Sequence, residues 1–177
     1  MRSMLAGLAV ALALGAGAAH AEVKSTWASG IRLENKAVVA APPEKVWAAL
    51  GQVGKWWDDA HTYSGDASNM TLPLEADACF CEKLPKGGGV RHGVVELAWP
   101  GQFLRLDAAL GPLQDEGAGG ALTFTLKPAP GGGTEVVQTY NVTGLRPEMI
   151  KAAPLIDRVI GGQLTRLKTY VETGKPQ

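Results

Sequence analysis

The stretch that most constrains how this chain can fold is residues 154–173. Leu155, Ile156, Val159, Ile160, Leu164, Leu167, Tyr170 and Val171 recur at threes and fours, while Arg158, Arg166, Lys168 and Glu172 lie mostly elsewhere on the wheel. That period predicts an amphipathic helix with one apolar stripe. Pro154 suits the first turn, where its missing N–H costs nothing, and Gly174 followed by Pro176 stops the helix. A single long helix of this kind needs a second layer to lie on.

The rest of the chain supplies a sheet. Over residues 31–40, Ile31, Leu33, Ala37 and Val39 alternate with Arg32, Glu34, Lys36 and Val38, the pattern of a first strand. Ala41-Pro42-Pro43-Glu44 breaks it and opens a short helix with Val46, Trp47 and Leu50 as its apolar face, ended early by Gly51 and Gly54. Residues 56–66 follow as a second short helix or an ordered loop, unusually aromatic for a connector. The period then changes to two, with strands expected at 72–84, 90–99, 103–110, 121–127 and 134–142. Gly87-Gly88-Gly89, Pro100-Gly101, the glycines from Gly117 to Gly120 and Gly131-Gly132-Gly133 supply the turns. Connections this short make consecutive strands antiparallel. The fold class is therefore α+β: a curved antiparallel sheet of about six strands around a long C-terminal helix, with two short helices after the first strand.

The front of the chain reads differently. Arg2, an apolar run of small residues to Ala19, and Ala19-His20-Ala21 have the pattern of a secretory signal peptide, residues 1–21, cut after Ala21. Residues 22–29 read as a flexible mature N-terminus, and 30–174 as one domain. The expected location is periplasmic, with no stable membrane anchor once the signal is removed. Of 17 basic and 17 acidic residues, loss of Arg2 leaves 16 against 17. Near-neutrality without a basic cluster argues against nucleic acid and anionic membrane surfaces as partners. Two cysteines are too few for a disulfide framework, so the core must hold the fold.

The stretch Val38-Val39-Ala40-Ala41-Pro42-Pro43-Glu44-Lys45-Val46-Trp47 resembles the opening signature of the SRPBCC superfamily, in which a strand, a proline-bearing turn and a helix carrying Val-Trp follow one another. His92-Gly93-Val94-Val95-Glu96-Leu97, with Pro100, resembles a strand of its polyketide cyclase and Hsp90-ATPase-activator-homologue branch. Trp56-Trp57 through Asp66, with Ala78-Cys79-Phe80-Cys81-Glu82, is similar to an exported bacterial subgroup. The resemblance implies a START-like, Bet v 1-like helix-grip fold with a cavity between sheet and final helix. It implies an apolar or amphipathic small molecule as ligand. The candidate ligand-binding residues for that cavity are Trp56, Trp57, His61, Tyr63, His92, Leu106, Phe124, Tyr140, Ile160 and Gln163. Gly161-Gly162 in mid-helix costs about 1 kcal/mol per glycine relative to alanine. Close approach of the sheet and room for a ligand are equal candidates for what offsets it.

Few residues could carry chemistry. Cys79 and Cys81 share one face of a strand, with Cα atoms about 6.6 Å apart in ideal geometry. A disulfide between them requires a bulge or a turn. Free buried thiols lead, ahead of a disulfide, with a metal pair third because the spacing matches no zinc pattern. His61 and His92 are the only histidines after Ala21, and with Tyr140 they are the catalytic candidates. His61 sits among Asp58, Asp59 and Asp66, where a loop held by Asx-type hydrogen bonds is favoured over an oriented base. Trp56 and Trp57 cannot both face one core from one helix, so one is expected at the cavity mouth. No phosphate-cradling loop or dinucleotide fingerprint occurs, so no cofactor and no metal are expected. The leading expectation is a carrier that holds its ligand in the cavity. A cyclase- or dehydratase-like enzyme in the same cavity is the alternative, and a thiol or metal module using Cys79 and Cys81 is a third.

Overall fold

The computed structural model describes residues 20–176. The expected signal segment lies outside the described residues apart from the backbone of His20 and Ala21. Eight strands form one antiparallel sheet: β1 (His20–Trp27), β2 (Gly30–Val39), β3 (Met70–Thr71), β4 (Cys79–Lys83), β5 (Gly89–Trp99), β6 (Phe103–Ala108), β7 (Gly119–Pro128) and β8 (Thr134–Thr143). Their order across the sheet is β1-β2-β8-β7-β6-β5-β4-β3. Helix α1 (Pro43–Leu50) follows β2, and α2 (Pro147–Lys151) leads into the long α3 (Ala153–Thr173). This is the helix-grip arrangement.

Local chemistry sets the ends of these elements. Pro43 occupies the first turn of α1, where it has no hydrogen bond to lose. Gly174 closes α3 in the left-handed region at φ 81°, and its N–H bonds the carbonyl of Tyr170. The alternation of β2 buries Ile31, Leu33, Ala37 and Val39, and that of β8 buries Val136, Tyr140 and Val142. Ile160, Leu164, Leu167 and Val171 of α3 join the same core. Burying each such side chain is worth about 1.5–3 kcal/mol.

Three expectations need correction. Residues 22–29 are not a loose N-terminus, because Glu22 to Trp27 belong to β1, paired with β2 in a ladder that slips once between Val23 and Ser25. Most of β1 is exposed, so it lacks the buried alternation that betrays a strand; its backbone pairing holds it. Residues 72–84 are not one strand either. Pro73 and a turn with Asp77 at φ 64° separate β3 from β4. The sheet thus has eight strands where about six were read from the turn pattern. Trp56 and Trp57 both enter the core, at 1% and 6% exposure. They can do so because they follow a short 3-10 turn (Val53–Lys55) and do not ride one helix.

Two glycines separate space from contact. A Cβ on Gly162 would meet nothing within 4 Å, whereas one on Gly93 would stand 2.6 Å from the carbonyl oxygen of Asp107 on the neighbouring strand. Gly162→Ala should therefore raise the unfolding free energy by about 0.5–1 kcal/mol. Gly93→Ala should lower it by about 1–3 kcal/mol. Urea titration of both variants checks the pair.

Candidate functional site

One recess lies where α3 crosses β2, against the two mid-helix glycines, and another of the same volume lies on the sheet beside Trp27, Glu96, Asp107 and Gly120. The recess at α3 is an open one of about 310 Å³, lined by Asn35, Pro154, Asp157, Arg158, Gly161, Gly162 and Thr165. The helical residues fall at threes and fours, so one face of α3 forms a wall of the recess. Of the two reasons offered for Gly161-Gly162, room is the one found at Gly162.

The polar groups beside it are unusual. Asn35 is 2% exposed and stands at an inward position of β2, between Leu33 and Ala37. Its Nδ2 donates to Asp157 Oδ1 at 3.3 Å, and its own Oδ1 has no donor. Gln138, its register partner across the β2–β8 ladder, is equally buried, and its Oε1 also has no donor. Leaving a buried polar atom unsatisfied costs about 1–3 kcal/mol. Burial raises the Asp157 carboxyl above its ordinary range, although the Asn35 bond pulls it the other way. Of these groups Asn35 and Asp157 stand at the wall of the recess, whereas Gln138 lies outside its lining.

A second buried polar centre is satisfied. The Glu82 carboxylate accepts from the backbone N–H groups of Tyr63 and Ser64 and lies 2.9 Å from His92 Nε2. Burial by itself raises its pKa, but the donors of Ser64, Tyr63 and His92 outweigh burial and hold it below the ordinary carboxylate range. Burial lowers the His92 pKa despite the carboxylate beside it. His92 turns inward because it is the extra residue where the β4–β5 ladder slips between Phe80 and Cys81. The aromatic connector is thus tied to the sheet by a carboxylate.

The residues expected to line a cavity mostly hold the fold together. Leu106, Phe124 and Ile160 are core. Gln163 Oε1 accepts from the Asp58 N–H at 2.9 Å, and Trp56 Nε1 donates to the Ala49 carbonyl. Trp57 Nε1 donates to the carbonyl of His61, and its ring stands edge-on to Phe80 at 5.5 Å. Tyr140 donates to the carbonyl of Ala108 and accepts from the Leu110 N–H, so its hydroxyl is already occupied in both senses. Burial pushes its pKa upward. His61 is exposed at the end of a loop in which Asp58 accepts from Ala60 and Asp59 from Ala67, the Asx-type arrangement favoured from sequence. Tyr63 is half exposed, with its hydroxyl near Gly111 and Gln114. These residues do not converge on the glycine recess.

Cys79 and Cys81 are joined, which overturns both the free-thiol and the metal readings. Their Cα atoms are 5.3 Å apart, closer than an ideal strand allows, and the ladder irregularity sits between Phe80 and Cys81. Among the described residues no helix is long and apolar enough to cross a membrane.

Sequence reasoning passed over Asn35, Gln138, Asp157 and Glu82. The signal was available: each is a polar residue on the buried face of a strand or helix.

Comparisons agree with the geometry. The family described as polyketide cyclase / dehydrase and lipid transport matches residues 30–172. Solved structures with the same fold include a Mesorhizobium loti protein, with 20% identity and TM-score 0.58, covering 78% of this chain and 94% of that one. A Rhodobacter sphaeroides protein, also 20% identical with TM-score 0.58, covers 88% and 97%. The di-domain aromatase/cyclase StfQ of steffimycin biosynthesis is 14% identical with TM-score 0.54, covering 81% of this chain and 51% of that one. No curated protein matches the sequence.

Two predictions follow from the buried groups. A histidine whose folded pKa is depressed stabilises the fold above its unfolded value near 6.5 and loses that contribution as pH falls through the folded pKa. The lowered carboxyl of Glu82 acts in the same direction, from its unfolded value near 4.3 downward. Stability should therefore decline on acidification below about pH 6.5, and His92→Gln should flatten the upper part of that decline while leaving the lower part. Denaturant midpoints measured across pH check it. Tyr140→Phe strands the Leu110 N–H and should cost about 1–3 kcal/mol by the same measurement.

Proposed function

From the premise that the chain belongs to the polyketide cyclase / dehydrase and lipid transport family, within the SRPBCC superfamily, we propose that it is a carrier for an amphipathic small molecule, held at the α3–β2 recess and not in the middle of the core. The observation that carries this reading is the recess itself, walled by the polar pair Asn35 and Asp157 and left open in mid-helix at Gly162. A ligand with hydroxyl or amino groups suits the acceptors of this wall, where the Asn35 Oδ1 has no donor. The Asp157 carboxyl beside Asn35 is a second acceptor for the same head group. Pro154 and the bare backbone at Gly161 and Gly162 leave space for a less polar portion. Family membership supports a hydrophobic or amphipathic ligand; the amino-terminal signal pattern supports a periplasmic setting.

The enzyme reading has less to draw on. It assigned a base to His61 or His92 and an oxyanion donor to Tyr140. His92 is bound to Glu82, the Tyr140 hydroxyl is saturated, and His61 lies out on the exposed connector.

Native mass spectrometry of protein prepared from periplasm tests the carrier. The wild type should carry a non-covalent organic adduct, and Gly162→Phe, which fills the recess, should lose it. Asn35→Leu combined with Asp157→Leu removes the polar anchor together with its partner, and should lose the adduct while changing stability by less than about 1 kcal/mol. A wild type that carries only water, or an adduct indifferent to both changes, overturns the proposal.

A further inference from the structure

The disulfide between Cys79 and Cys81 does little as a staple. It links residues two apart in one strand, and the stabilisation a cross-link gives by restricting the unfolded chain grows with the length of the loop it closes. Here that loop is as short as a strand permits. β4 is already held on both sides, by the β3 ladder at Thr71↔Cys81 and the β5 ladder at Cys79↔Val94 and Cys81↔Arg91. Opening the bond would detach no element. Phe80 and Glu82 are buried and anchor β4 to the core, through the ring contacts of Phe80 with Trp57 and His92 and the hydrogen bonds of Glu82. The two cysteines alternate with them and are partly exposed on the outward face.

The surroundings of the two sulfurs differ. Directly across from Cys81 stands the exposed Arg91, and across from Cys79 the partly buried Val94. Cross-strand partners have Cβ atoms about 4.5–5.5 Å apart, within the reach of a guanidinium. A cation at that range favours a thiolate, and the sulfur that better bears negative charge is the better leaving group in exchange. Cys81 is that sulfur.

We propose that Cys79–Cys81 is a thiol–disulfide exchange site that accepts two electrons from a protein dithiol. One substrate thiolate attacks Cys79 Sγ, forming a mixed disulfide as the Cys79–Cys81 bond breaks and its electron pair leaves on Cys81. The second substrate thiolate then attacks the substrate sulfur of that mixed disulfide, and the electron pair of the broken bond leaves on Cys79. The substrate is oxidised to a disulfide, the chain is reduced to a dithiol, and the two substrate protons pass to the departing thiolates. A disulfide compound of higher potential restores the starting state by the reverse exchange. This inference is independent of the ligand recess.

The test uses the purified protein in glutathione buffers of graded ratio, with quenching by alkylation and intact-mass counting of thiols. Near-UV circular dichroism is recorded in parallel. The expected result is reversible opening within the millimolar glutathione range, with the native near-UV spectrum retained. A bond that stays closed under fully reducing glutathione overturns the proposal, as does a native spectrum lost on reduction, or a protein isolated with both thiols free. The assignment of the leaving sulfur is tested by reduction kinetics with dithiothreitol. Arg91→Ser should slow the reaction about tenfold and Arg91→Lys should restore most of the rate. Cys81→Ser treated with oxidised glutathione should form a mixed disulfide through Cys79, read as one added glutathione in the intact mass, and its absence overturns the role of Cys79. Equal rates in wild type and Arg91→Ser overturn the assigned direction of attack.

Discussion

The burial of one face of α3 against the inward face of the sheet is the constraint on which the remaining structure depends. A helix of this composition is marginal in water by itself, so its order derives from the layer beneath it. The same helix then anchors the segments that carry no repeating pattern. Gln163 holds the Asp58 N–H, Arg166 holds the carbonyls of Trp56 and Trp57, and Tyr170 bonds Gln52. Lys168 and Glu172 close over the end of β2 through the Val38 carbonyl and the Ala40 N–H. The irregular connector after α1 is therefore tied to α3 at several points.

Buried polar groups divide into two kinds, and the division separates scaffold from site. Glu82, Tyr140, Gln163 and Thr134 each have partners that use their capacity and tie distant segments together. Asn35 and Gln138 sit in the same apolar layer with an oxygen each left over. A chain selected only for stability would place apolar side chains at both positions. Asn35 stands at the wall of the recess, beside a glycine pair that weakens the helix.

Much of the fold was legible in the sequence because periodicity is a local property. The stripe of α3, the alternation of β6 to β8 and the proline-led start of α1 each follow from spacing alone. β1 was not legible, since an exposed edge strand has no buried face to impose alternation, and the break at Pro73 to Asp77 interrupts what reads as one long strand. The site was less legible still. The eye follows histidines and aromatics, whereas the informative residues were an asparagine, a glutamine and an aspartate on buried faces. Their register, Asn35 opposite Gln138, depends on a pairing between strands about a hundred residues apart.

The sequence by itself determined the class of fold, the long helix, the chemistry of its ends and the sulfur pair on one strand face. Each of these depends on neighbours within a few turns or strand residues, where backbone geometry is fixed by chemistry. Only the tertiary structure decided that Trp56 and Trp57 are both core, that Tyr140 and His92 are already engaged, and that a recess lies at the seam between α3 and β2. These outcomes turn on which groups meet across long loops. A hydrogen-bonding group is free or committed only in relation to atoms that sequence spacing does not bring near.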